Sequence, residues 1–204
     1  MKYYIVIPSY NEEALIGLTL QSLISQTVLP SKIVVVNDNS TDRTAEVVLE
    51  FAKNNPYISL VNKSSENIHL PGSKVIQAFE KGFETLDDNY DLIVKIDADL
   101  IFPTNYFETI IKHFQSDERI GMVGGFCYIE KNGEWILENL TDKDHIRGAL
   151  KAYRKETFKQ IGRSFRKYAI SFSFLLLILG FKTIIVLNFI IFRIHKSFFP
   201  FSSF

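Results

Sequence analysis

Two hundred and four residues suffice for one globular domain with a short appendage and are too few for two full enzymatic domains with linkers. A composition 47% hydrophobic and 23% charged, with six Pro and ten Gly, excludes a mainly disordered or collagen-like chain, and the single cysteine, Cys127, excludes a disulfide framework or a Cys-rich metal knuckle. The formal net charge of zero conceals an asymmetry: residues 1–150 carry 22 acidic against 13 basic residues, whereas residues 151–204 carry one against ten. An acidic body disfavours nucleic acid as a partner, while a basic stretch beside apolar residues suits an anionic membrane surface. Eleven of the eighteen Phe lie from Phe158 onward. The change divides the chain into a domain over 1–162 and a basic, hydrophobic tail over 163–204.

The run Tyr3 to Ile7 predicts a strand covered on both faces, ended by Pro8. Ile16, Leu20, Leu23 and Ile24 recur at helical spacing after Glu12 and Glu13, whose charges suit a first turn. Ile33 to Val36 is a second strand, Asn37 to Asp42 a turn, and Ala45, Val48, Leu49 and Ala52 a second helical stripe. Ile58 to Val61 begins the alternation again, followed by a helix marked by Val75, Ile76, Phe79, Phe83 and Leu86 and a strand over Leu92 to Ile96. A helix after Pro103 carries Phe107, Ile110, Ile111 and Phe114 on its inner face. This rhythm predicts an α/β fold: a Rossmann-related, mostly parallel sheet flanked by helices. Met122 to Phe126, Trp135 to Leu137 and Ile146 to Tyr153 read as mixed or antiparallel additions. No apolar segment follows a basic start, so no secretory signal peptide is expected.

In an open parallel sheet the ligand crevice lies beyond the carboxyl ends of the strands. Three polar clusters fall at those ends: Pro8 to Glu12, Asn37 to Asp42, and Asp97-Ala98-Asp99. Asp97 and Asp99, two apart, put both carboxylates near one edge and suit a hard cation such as Mg²⁺ or Mn²⁺; equally, Asp99 suits a helix cap with Asp97 facing solvent. Asp38 suits acceptance of a ring N–H or ribose hydroxyl, or an Asx turn; Tyr10 offers a flat face to a base, or surface packing. No G-x-G-x-x-G follows the first strand and no G-x-x-x-x-G-K-[ST] occurs, which weighs against a nicotinamide oxidoreductase and a P-loop NTPase.

The ordered motifs Val6-Ile7-Pro8-Ser9-Tyr10-Asn11-Glu12-Glu13, Val35-Val36-Asn37-Asp38-Asn39-Ser40-Thr41-Asp42 and Lys95-Ile96-Asp97-Ala98-Asp99 resemble family 2 glycosyltransferases of the GT-A fold over about residues 3–162. Such enzymes transfer a sugar from a nucleotide-diphosphate donor, generally with inversion. The resemblance implies a donor-binding edge at Pro8, Tyr10, Glu12 and Asp38, with Asp97 and Asp99 as the D-x-D pair at ribose, metal and diphosphate, Asp99 the more direct ligand of Mg²⁺ or Mn²⁺. Where the family often carries a Gly-rich run with an Arg, this chain has Leu70-Pro71-Gly72-Ser73-Lys74, so the diphosphate-facing role passes to Lys74, which reads equally as a solvent-exposed lysine. His145 to Ala149, then Tyr153-Arg154-Lys155 and Phe158 to Gly162, are similar to the family's acceptor-side strand and following helix, and beyond Gly162 the similarity is expected to end. The family's general base, an Asp or Glu shortly after this Gly, has no counterpart, because no acid follows Glu156. Asp142 and Asp144 are the nearest substitutes, the catalytic residue stays unassigned, and the domain reads as truncated.

Residues 170–192 number 23, of which 17 are Ile, Leu, Phe or Val, long enough for a transmembrane helix. Apolar contributions of about 0.3–0.6 kcal/mol each outweigh about 2.5–3.5 kcal/mol opposed by Lys182. Lys151, Arg154, Lys155, Lys159, Arg163, Arg166 and Lys167 precede it, which places the body in the cytoplasm, attached to a membrane by the tail. An interfacial anchor and an interrupted reading frame are the other readings of the tail. The sequence thus predicts a metal-assisted glycosyltransferase of polysaccharide or glycolipid assembly, taking a UDP-sugar by preference and a saccharide or lipid-linked acceptor. The alternatives are an inactive nucleotide-binding protein and a nucleotidyltransferase, which shares the carboxylates and metal but releases pyrophosphate.

Overall fold

The computed structural model describes residues 1–64, 73–131, 133–138, 150–162 and 182–193. Strands and helices alternate as β1 (Tyr3–Ser9), α1 (Ile16–Ile24), β2 (Lys32–Asp38), α2 (Thr44–Asn54), β3 (Ile58–Lys63), α3 (Ser73–Phe83) and β4 (Leu92–Ile96). Then come β5 (Leu100–Ile101), α4 (Tyr106–Ser116), β6 (Ile120–Lys131), β7 (Glu134–Leu137), β8 (Leu150–Arg154), α5 (Lys155–Gly162) and β9 (Lys182–Arg193).

The period-two geometry of a strand sends neighbouring side chains to opposite faces, and here both faces are covered. Tyr3, Ile5, Ile7, Ile33, Val35 and Val94 pack with Leu20 and Leu23 of α1, Val48 of α2 and Phe107, Ile110 and Phe114 of α4. On the opposite face Tyr4, Val6, Val34, Val36, Ile93 and Tyr153 pack with Ala78 and Phe79 of α3 and Phe158 and Ile161 of α5. This is why Tyr3 to Ile7, Ile33 to Val36 and Leu92 to Val94 read as unbroken apolar runs: on neither face do they meet water. Burial of the Tyr3 and Tyr4 rings leaves their hydroxyls to Val28 O at 2.6 Å and Asp87 Oδ1 at 2.7 Å.

The sheet order among the described residues is β3-β2-β1-β4-β8-β6-β9-β5, with β7 paired to β6. β3, β2, β1 and β4 are mutually parallel, but β8 lies antiparallel to β4 and to β6, and β5 antiparallel to β9. The sheet is therefore mixed, which corrects the expected mostly parallel one.

The expected transmembrane span over 170–192 is also corrected. Residues 182–193 form β9, inserted between β6, to which it runs parallel, and β5. Among the described residues no helix is long and apolar enough to cross a membrane. Residues 163–181, the remainder of that expected span included, lie outside the described residues, as do 146–149 of the expected strand. An apolar run suits a sheet strand as well as a span, and β9 pairs along its length with β6 and at its last two residues with β5.

Lys151 of β8 stands opposite Lys95 of β4. Burial, with the Lys95 charge adding, pushes its amine down to about 8 from 10.5. Below pH 8 the buried charge is present and its full penalty applies; between about 8 and 10.5 the unfolded chain binds more protons, so stability climbs with pH. Lys151→Met is accordingly expected to stabilise the chain by about 1–3 kcal/mol at neutral pH, a gain that disappears above pH 10.5, measured by urea unfolding at both pH values.

Candidate functional site

The chain order reverses at β1, with β2 and β3 on one side and β4 on the other, which makes the carboxyl ends of β1 and β4 the switch point of the sheet. Pairing of β1 with β2 continues to Ser9↔Asn37, whereas pairing with β4 ends at Val6↔Lys95. The strands diverge there and open a cleft of about 930 Å³. Its walls carry all seven residues that the sequence nominates: Pro8, Tyr10 and Glu12 beyond β1, Asp38 at the end of β2, Lys74 in the first turn of α3, and Asp97 and Asp99 beyond β4. Val75 and Ala78 give the cleft an apolar side.

The loops after β1 and β2 are stitched together by side chains that sequence reasoning passed over. Asn11 (φ 53°) and Asn39 (φ 60°) are in the left-handed region, which asparagine tolerates better than most residues. The Asn11 amide donates to Ser40 Oγ at 3.0 Å, and the Thr41 amide donates back to Asn11 Oδ1 at 2.8 Å. The Glu12 amide donates to Thr44 Oγ1 at 2.7 Å and the Glu13 amide to Asp42 Oδ2 at 3.1 Å. Asp42 Oδ1 also takes the Thr44 amide at 3.0 Å and its hydroxyl at 2.5 Å. Beside these held loops Tyr10 stays 59% exposed on the cleft wall.

Three carboxylates of the cleft, those of Asp38, Asp97 and Asp99, already face a cation. Asp38, 8% exposed, has Lys63 Nζ at 3.0 Å from Oδ1; Lys63 enters because Asp38 and Lys63 are paired across β2 and β3. Asp97 Oδ1 accepts from Lys95 Nζ. Arg193, the last residue of β9, places Nη2 2.5 Å from Asp97 Oδ2, Nε 3.1 Å from Asp99 Oδ2 and Nη1 3.5 Å from Glu138 Oε1. The Nε contact is an ion pair without hydrogen-bond alignment. Lys63, Glu138 and Arg193 are absent from the sequence prediction, since no local motif links them to the strand ends. The helix-cap reading of Asp99 does not hold: Leu100 opens β5, and α4 begins only at Tyr106. Asp97 does not simply face solvent either, because it is paired on both oxygens.

Burial pushes the Asp99 carboxyl above its ordinary range, and the Arg193 guanidinium pulls it back only in part. Asp99 Oδ1 is buried and has no hydrogen-bond partner among the described residues. Such an open hard oxygen suits a divalent cation, and Mg²⁺ sites commonly use one or two carboxylates together with water and phosphate. Among the described residues no group of three or more His, Cys, Asp or Glu is arranged for a metal. Asp142 and Asp144, considered as substitutes for a general base, lie outside the described residues, as does the Leu70-Pro71-Gly72 run before α3.

Asp42 holds three donors without lining the cleft. Asp42→Ala should destabilise the chain by about 1–3 kcal/mol, the scale of losing hydrogen bonds to a charged acceptor, and should speed amide exchange at Glu13 and Thr44 ahead of the sheet. Unchanged exchange at those two amides would count against this role.

The geometry has counterparts among known proteins. The YibD protein of Escherichia coli (strain K12), described as an uncharacterized glycosyltransferase, is 27% identical over 135 residues, 66% of this chain and 37% of its own length. The chain thus spans well under half of that relative. Staphylococcus aureus TarS, solved with UDP-GlcNAc, matches with a TM-score of 0.69 at 15% identity over 96% of this chain and 59% of its own. The mannosyltransferase PcManGT from Pyrobaculum calidifontis, solved with GDP-Man and Mn²⁺, matches with a TM-score of 0.67 at 17% identity over 95% of this chain and 56% of its own. These likenesses reach past the expected limit at Gly162, and the fold they share is GT-A. The family profile described as Glycosyl transferase family 2 matches residues 4–175, and the chain belongs to that family.

Proposed function

We propose that this chain binds a nucleotide-diphosphate sugar in the cleft between β1 and β4 and serves its transfer, with inversion, to a saccharide or lipid-linked acceptor. The observation that carries this reading is the convergence on one cleft of three strand-end clusters far apart in sequence. The nucleotide sugars held by TarS and PcManGT support the donor class. In this reading Tyr10 stacks on the base, Asp38, held by Lys63, accepts a ring N–H or ribose hydroxyl, Pro8 and Glu12 shape the same edge, and Lys74 faces the diphosphate. Asp97 and Asp99 would hold Mg²⁺ or Mn²⁺, which when bound offsets charge on the leaving diphosphate. A UDP-sugar is the preferred donor, and polysaccharide assembly the preferred setting.

The sequence holds no acid after Glu156, and this favours a second reading, donor binding without transfer. Calorimetry with UDP-GlcNAc, with and without Mg²⁺, tests the first step: binding should strengthen with the metal, and Asp99→Ala should weaken the metal-dependent part by about tenfold or more. Binding indifferent to both sinks the metal assignment. Turnover across an acceptor panel above a protein-free control then selects transfer over binding alone, and pyrophosphate release from a nucleoside triphosphate would instead select nucleotidyl transfer.

Attachment to the cytoplasmic face of a membrane remains part of the proposal, through charge on the basic stretch and not through a span. Of that stretch, Arg154 is occupied by the carbonyls of Phe114, Asp117 and Ile120, and Lys155 and Lys159 by Asp88, so the proposed contact falls to Arg163, Arg166 and Lys167, which lie outside the described residues. The chain should therefore leave vesicles of anionic lipid in about 1 M salt, where the screening length is about 3 Å. Retention under those conditions would point to an apolar anchor.

A further inference from the structure

The residue that meets the Asp97–Asp99 pair comes from the far end of the chain. Arg193 stands opposite Leu100 in β5 and Ile129 in β6. Leu100 follows Asp99 directly, so the strand register, and not one side-chain rotamer alone, brings the guanidinium to the carboxylates. The Arg193 side chain is 20% exposed, with Asp97 30%, Asp99 25% and Glu138 8%, so water screens these contacts less than it would on an open surface. Glu138 is fixed in turn by its own amide, which donates to Cys127 O at 2.9 Å.

The oxygens that a metal ion would use are thus largely claimed. Lys95 meets Asp97 Oδ1, and Arg193 meets Asp97 Oδ2 and Asp99 Oδ2, leaving Asp99 Oδ1 open. A divalent ion that reached for more than this one oxygen would enter within a few ångströms of a fixed positive charge. Arginine keeps that charge at any pH the fold survives, so only movement of the side chain removes it.

We propose that Arg193 is the resident counter-cation of the Asp97–Asp99 pair and competes with a divalent metal ion for it. The ion enters as the guanidinium turns away, and the last described strand thereby sets how tightly the cleft holds metal. This inference rests on the reading of the pair as the metal–diphosphate end of the donor site, and it makes a prediction opposite in sign to a purely structural role. A residue that merely braced the carboxylates would, once removed, leave the metal site weaker; removing a competing charge leaves it stronger.

The test uses Mn²⁺ alone, followed by the electron paramagnetic resonance signal of the free ion, on the full chain and on Arg193→Gln, Arg193→Lys and Asp99→Asn. Arg193→Gln should bind Mn²⁺ about tenfold tighter or more, as expected for a unit positive charge withdrawn from the vicinity of the ion, and Arg193→Lys should stay within about threefold of the parent. Affinity unchanged or weakened in a cooperatively melting Arg193→Gln overturns the competition. Should that variant fail to melt cooperatively, the parent chain decides: saturating Mg²⁺ should shift the resonance of the Arg193 Nη2 protons, which donate to Asp97 Oδ2, and abolish their protection from exchange, and persistence of both overturns the proposal. Mn²⁺ binding that Asp99→Asn leaves untouched refutes the site assignment itself, a result separate from failure of the competition.

Discussion

A sheet covered by helices on both faces has no place for polar chemistry except where its strands end. The runs Tyr3 to Ile7, Ile33 to Val36 and Leu92 to Val94 of β1, β2 and β4 are apolar because their side chains are buried on both faces, and the backbone is satisfied within the ladder. The first residues free of that constraint lie at the carboxyl ends, where β1 and β4 diverge. Everything the cleft offers, from Tyr10 to Asp99, follows from that single divergence, because adjacent parallel strands deliver clusters nearly 90 residues apart in sequence to one edge.

The same constraint explains what could be read from the sequence. β1 to β4 and their helices were legible because strand and helix periods differ and the breaks between them are polar. The positions of Pro8, Tyr10, Glu12, Asp38, Asp97 and Asp99 were legible because strand ends are marked by a change of composition; Lys74 was nominated only through the family resemblance. The network behind the loops was not. Asn11, Ser40, Asp42 and Thr44 act through reciprocal hydrogen bonds between two segments about 30 residues apart, and polar residues in a turn look alike whether or not they meet.

β9 marks the clearest limit. Its apolar run fits a membrane span and a sheet strand equally well, and periodicity alone does not separate them. What decides is the pairing with β6 and β5, a non-local property that only the folded sheet displays. Arg193 was hidden for the same reason. An arginine after an apolar run reads as a flanking charge, yet the register carries it to residues 97 and 99.

The segregation of charge along the chain takes on a different meaning in this light. An acidic amino-terminal body joined to a basic carboxy-terminal stretch is compatible with an anionic surface, but it is also what intramolecular complementarity looks like in one dimension. Lys155 and Lys159 meet Asp88, Lys182 meets Asp117, and Arg193 meets Asp97 and Asp99. The exposed pairs among these contribute little to stability, because water screens them and long side chains lose freedom. The pairs at Arg193 are of another kind, since three carboxylates gathered in a half-buried site repel one another unless a cation stands among them. That cation is either carried by the chain itself or brought by a ligand. The carboxylates that give the cleft its chemistry therefore also make β9 part of it, through the one basic residue that its register delivers to their side.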